Sequence, residues 1–106
     1  MTIKTEQVYA VIFTATMKQV DDEYLQMANR LRDLAFAEFS CLEFNAVTEG
    51  DKEVAISYWP SKQHILDWKQ HPLHKKAQKL GQERWYSDYR VQVVHVEREY
   101  KFANQD

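Results

Sequence analysis

The stretch Tyr58-Trp59-Pro60-Ser61-Lys62-Gln63-His64-Ile65-Leu66-Asp67-Trp68-Lys69-Gln70-His71-Pro72-Leu73-His74, continuing through Lys75 to Trp85-Tyr86, carries the punctuation from which the architecture follows. It holds both prolines, all three tryptophans and three of the four histidines. Pro60 cannot donate to a sheet ladder, so it ends the strand that closes on Tyr58-Trp59, and Ser61 is placed to cap the helix that follows. Pro72 pushes His71 out of the α region and suits the first turn of a new helix. That helix buries Leu73, Ala77 and Leu80, with Arg84 one turn further on. Gly81 inside it costs up to about 1 kcal/mol relative to Ala, which predicts a close backbone approach there.

Working outward, Val8–Thr16 is rich in β-branched and aromatic residues and reads as a strand. Tyr9, Val11 and Phe13 lie on one face and Val8, Ala10 and Ile12 on the other, so both faces are apolar. An antiparallel sheet normally exposes one face to water, and something must cover the second. Asp21 is a plausible N-cap, and Asp22 and Glu23 suit the positive end of a helix over about 22–37. Tyr24, Met27, Ala28, Leu31, Leu34 and Ala35 recur on it at helical spacing. Cys41–Thr48 alternates, Glu49-Gly50-Asp51 has turn chemistry, and Val54, Ile56 and Tyr58 continue an alternating strand to Trp59: a hairpin. The last strand, over 89–100, is overlong, and its apolar parity switches at Val93-Val94, which predicts a bulge.

The predicted order is β-α-β-β-α-β, an α+β, ferredoxin-like arrangement with an antiparallel sheet. Helices cover one face of such a sheet, and a second, identical subunit is the simplest cover for the other. A chain of 106 residues is expected to form one domain, 1–106, with its core at about 8–102. The net charge of −2 gives no general attraction to nucleic acid. Cys41 is the single cysteine, which suits a reducing compartment. No apolar stretch has the length of a membrane span or a signal peptide, and the expectation is a cytoplasmic protein with no membrane partner.

The two proline stops, the helix Trp68, the residues Pro72 and His74, and Arg84-Trp85-Tyr86-Ser87-Asp88-Tyr89 together resemble the antibiotic biosynthesis monooxygenase family over most of the chain. The resemblance implies a homodimer forming a dimeric α/β barrel. It also implies cofactor-independent oxygenation of a small phenolic or quinol-type aromatic: base-assisted deprotonation, then direct reaction of the anion with dioxygen. Trp68 matches the family's pocket aromatic. Some members carry an Asn four residues before that Trp and a Tyr six after it; here those places are His64 and His74. Imidazole titrates near neutrality, so His74 is the candidate base, His64 the orienting group and Trp68 the apolar wall. Trp59, His71, Arg84 and Tyr86 are the candidate substrate contacts.

Other chemistries are open at this point. The family's haem-degrading branch bears an axial His ten residues after the helix Trp; here that place is Gln78, a poor iron ligand, and the branch's first-strand Asn has no counterpart over 9–16. His64, Asp67, His71 and His74 would share a face only on an unbroken helix, which Pro72 opposes, so no metal is expected. From Lys62 to Arg90 there are seven basic and three acidic residues. Lys69, Lys76 and Arg84 among them could attract an anionic substrate, although such runs are usually solvated helix faces. Cys41 reads as a small buried hydrophobe and His95 as a hydrogen-bonded strand histidine. A non-catalytic, small-molecule-binding or stress-related dimer stands as the alternative function.

Overall fold

The computed structural model describes residues 8–104. Strand β1 (Tyr9–Met17) leads into helix α1 (Asp22–Glu38), then the hairpin of β2 (Glu43–Glu49) and β3 (Lys52–Trp59). Helices α2 (Lys62–Gln70) and α3 (Pro72–Leu80) follow, then a π-helical turn over Gly81–Trp85 and strand β4 (Tyr86–His95). The four strands form one antiparallel sheet in the order β2-β3-β1-β4. This is the ferredoxin-like α+β fold, with its second helical segment broken in two.

Local chemistry sets most boundaries. The Asp21 carboxylate accepts the amide hydrogen of Tyr24 at 2.8 Å, which lowers its pKa and starts α1. Ser61 does the same for His64 at the start of α2. His71 has extended backbone angles and Pro72 occupies the first turn of α3, so the break falls between these two residues. Gly50 turns the β2–β3 hairpin with a φ of +61°.

Cross-strand register divides the sheet's faces. Tyr9, Val11, Phe13 and Ala15 share a face with Trp59, Ser57, Ala55 and Glu53 of β3 and with His95, Val93, Val91 and Tyr89 of β4. The helices pack on this face: Val11 and Trp59 meet Ala35, Ile65 and Trp68, while Met17 joins Tyr24, Met27 and Trp85. Leu73, Ala77 and Leu80 of α3 pack against the second of these groups. The opposite face carries Ala10 and Ile12 of β1 beside Tyr58, Ile56 and Val54 of β3, Val47 of β2 and Val94 of β4. Among the described residues no helix covers it, and Val47 is 68% exposed.

Three expectations need correction. The helix after Pro72 does not run on to Arg84; it ends at Leu80, because Gly81 opens a π turn whose hydrogen bond joins the Tyr86 amide to the Gly81 carbonyl. The final strand is Tyr86–His95 rather than 89–100: its register with β1 runs to the Tyr9–His95 pair, and residues 96–104 are not strand. No bulge falls at Val93-Val94, which pair in register with Val11 and Ala10. The irregularity lies at the other end, where Thr16–Met17 faces Asp88 and Tyr86 and Ser87 is the extra residue. The close approach expected at Gly81 is there: a Cβ would lie 2.7 Å from the Tyr86 ring.

Candidate functional site

A cavity of about 300 Å³ lies between the helices and the helix-facing side of the sheet. Its size is at the lower end for small-molecule sites, and its walls are mostly apolar and aromatic. Helix α1 contributes Tyr24, Met27, Leu31 and Arg32; the sheet contributes Val11, Phe13, Phe44, Glu53 and Ser57. Trp68 and Lys69 enter from α2, His74 and Gln78 from α3, and Trp85, Tyr86 and Tyr89 from the turn and β4.

Each wall is held from behind. Trp68 is buried, donates its indole N–H to the Leu31 carbonyl at 3.1 Å, and lies against Trp59 with ring centroids 5.0 Å apart. The His74 ring stands edge-on to Trp68 at 4.4 Å. Burial pulls the His74 pKa down to about 4, with the nearby Lys69 charge adding to the effect, so the imidazole is neutral at neutral pH. The Gln78 amide nitrogen lies 3.3 Å from His74 Nδ1. In that orientation the amide donates to Nδ1 and the proton sits on Nε2.

The far end is different. Glu53 lies on the helix-facing side of β3, and its carboxylate accepts a hydrogen bond from the Tyr24 hydroxyl. Burial raises the pKa of both neighbouring phenols, that of Tyr86 to about 12, so both stay protonated. Tyr86 and Tyr89 each pack on Phe13, with centroids 5.4 and 5.7 Å from it.

Of the seven residues singled out in the sequence, Trp68, His74 and Tyr86 line this cavity together. The other four lie outside it. His64 is turned back on its own cap, with Nδ1 2.5 Å from Ser61 Oγ. His71 caps α3, accepting the Leu73 amide hydrogen at 3.0 Å, and sits edge-on to Phe39. Arg84 is ion-paired to Asp21 at 3.1 Å and Glu23 at 2.5 Å, on the outer side of α1. Trp59 is fully buried beneath Trp68, with its N–H on Ser57 at 2.8 Å. The cavity residues with polar groups that were not among these seven include Glu53, Tyr24, Arg32 and Gln78. The signal for Glu53 was its parity, since it alternates with Ala55, Ser57 and Trp59 on one side of β3. Cys41 is buried in the core. Among the described residues no group of His, Cys, Asp and Glu side chains converges as a metal site, and no helix is long and apolar enough to cross a membrane.

This arrangement defines the class: a ferredoxin-like domain with the fold of the antibiotic biosynthesis monooxygenases. The chain superposes on SnoaB from Streptomyces nogalater, a cofactor-independent oxygenase, with a TM-score of 0.73 at 9% identity, covering 88% of this chain and 96% of that one. A structure described as an antibiotic biosynthesis monooxygenase matches with a TM-score of 0.69 at 18% identity, covering 81% and 95%. A conserved protein from Methanosarcina mazei Go1 matches with 0.75 at 11% identity, over 88% and 96%. No family model matches the chain. It is 35% identical over 95 residues to the uncharacterized protein YqjZ of Bacillus subtilis, covering 89% of this chain and 83% of YqjZ. The chain belongs to the same family as YqjZ.

Proposed function

We propose that the cavity oxygenates a small phenolic or quinol-type aromatic without a cofactor, inside a homodimer. The observation that carries this is the neutral, buried His74 held edge-on to Trp68 in an aromatic-walled space of about 300 Å³. The fold shared with a cofactor-independent oxygenase supports it. His74 takes the proton of a substrate hydroxyl, the resulting electron-rich anion reacts with dioxygen, and the apolar wall keeps water from the intermediate. A hydroquinone supplies its own electrons: hydroquinone plus dioxygen gives hydroxyquinone plus water. For this role Gln78 turns its carbonyl oxygen to Nδ1–H, the reverse of the amide orientation above, leaving Nε2 as the acceptor.

An ordinary phenol has a pKa near 10, so transfer to an imidazole at about 4 is uphill by roughly 6 units, or about 8 kcal/mol. The site therefore favours substrates whose hydroxyl is acidified by conjugation. Oxygen uptake by metal-stripped protein with a panel of hydroquinones and acidified phenols is the test. Consumption with none of them ends the oxygenase reading and leaves a binding dimer. That second reading is favoured by one feature, the low basicity of His74.

The second copy covers the open sheet face, where Ile12, Ile56, Val54, Val47 and Val94 form an apolar field. The segment after β4 carries Tyr100 and Phe102, exposed at 84% and 86%, and reaches toward the partner. Light scattering at micromolar concentration should give twice the chain mass; a stable folded monomer would refute this.

A further inference from the structure

The cavity is electrically polarised along its length. At one end, Arg32 and Lys69 line it beside Phe44, Trp68 and His74. The Arg32 guanidinium carbon lies 5.3 Å from the Phe44 ring centroid, and its Nε is buried with no hydrogen-bond partner. Among the described residues no carboxylate pairs with Arg32 or Lys69. At the other end the charge is negative, where Glu53 accepts from Tyr24 beside Tyr86. Tyr24 and Arg32 are eight residues apart on α1, about 12 Å along the helix axis. Glu53 and Ser57, on the strand below, are about 13 Å apart. Glu53 therefore cannot neutralise Arg32, and a buried guanidinium nitrogen left without an acceptor is costly.

We propose that the ligand is a two-ended aromatic, with an anionic group held by Arg32 and Lys69 and a hydroxyl donor held by Glu53. The proposal rests on this cavity being the ligand site and narrows the ligand class from any small phenol to two-ended aromatics, whose acidic group, rather than the Glu53-bound hydroxyl, is the one beside His74. A carboxylate or ionised enol accepts from the Arg32 guanidinium and meets the Lys69 charge. The aromatic body fills the space between Phe44 and Phe13. The distal hydroxyl donates to the Glu53 carboxylate, which can accept more donors than the Tyr24 hydroxyl alone. A fused two-ring acid has the length to reach both ends; a single-ring phenol reaches one.

Binding by calorimetry to the intact protein at pH 7 tests this with 6-hydroxy-2-naphthoic acid, 2-naphthoic acid and 2-naphthol. The hydroxy acid should bind about tenfold or more tightly than 2-naphthol, the gain expected of one charge-assisted pair, and more tightly than 2-naphthoic acid. Arg32→Met should abolish the preference over 2-naphthol, and Glu53→Gln the preference over 2-naphthoic acid. The ligand series on unaltered protein does not depend on any variant folding. Equal binding of the hydroxy acid and 2-naphthol would overturn the proposal, as would a preference that survives Arg32→Met combined with Lys69→Met. Oxygen uptake measured on the panel of hydroquinones and acidified phenols separates the two readings. Charge-selective binding with no oxygen consumption across that panel upholds this proposal and ends the oxygenase; consumption of neutral quinols without acid selectivity in binding overturns this proposal alone.

Discussion

Acid should destabilise the protein through His74, and by an amount that can be worked out. In the unfolded chain this imidazole titrates near 6.5, and in the folded protein near 4, because burial penalises its charged form. Between those values the unfolded state binds the extra proton, so stability is fully present above pH 6.5 and falls as pH drops toward 4. The whole gap of about 2.5 units corresponds to about 3 kcal/mol. Between pH 7 and pH 5 the loss is about 2 kcal/mol, since at pH 5 the unfolded histidine is mostly protonated while the folded one is not. Other groups titrate in the same window, so the variant His74→Gln, which has no proton to bind there, is the reference. Urea denaturation at fixed protein concentration, at pH 7 and pH 5, should show wild type losing about 2 kcal/mol more than His74→Gln. Equal losses in the two proteins would mean that His74 is not buried neutral, and the acceptor role proposed for it would lose its basis.

Under the proposed chemistry, His74→Ala should lower oxygen uptake by about 10²–10⁴-fold, the usual share of a positioned base, with an unchanged circular dichroism spectrum. Where His74 limits the rate, wild-type turnover should hold from pH 8 to pH 5 and fall near pH 4, read from initial rates, rather than near the ordinary imidazole value. Gly81→Leu should cost about 1–3 kcal/mol in thermal or urea unfolding, because the side chain meets the Tyr86 ring, and the same substitution should cost much less when made in a Tyr86→Ala background. A Gly81→Leu protein more stable than wild type would contradict the packing. Arg84→Met should leave the urea midpoint almost unchanged, since its ion pairs with Asp21 and Glu23 are partly solvent-exposed. Ile56→Lys on the open sheet face should leave the monomer fold intact and halve the mass measured by light scattering.

Sequence by itself determined the order of elements, because each boundary is a short-range event. Asp21 and Ser61 cap helices within three residues of themselves, and Pro60 and Pro72 act on their immediate neighbours. Gly81 and the Trp85-Tyr86 pair were legible for the same reason, although the π turn between them was not, since a single five-residue turn is too short to display a hydrophobic period of its own. The limits of β4 depend on how far β1 extends alongside it, which no local pattern encodes.

The site divides in the same way. Trp68 and His74 were marked by the resemblance to the monooxygenase family, whereas His64 and His71, also candidates there, carry the same chemistry and spend it on helix caps. Helical rotation and the proline break together send one imidazole into the cavity and the other two away from it. Glu53 and Arg32 lie on different elements, and only the pairing of β3 with β1 and the packing of α1 over the sheet bring them to opposite ends of one space. The apolar row Val54, Ile56 and Tyr58 marks the face left open, while the more polar row Glu53, Ala55 and Ser57 faces the helices. Alternation in a strand reveals that there are two faces; which of them lines the cavity is decided by the elements that pack against it.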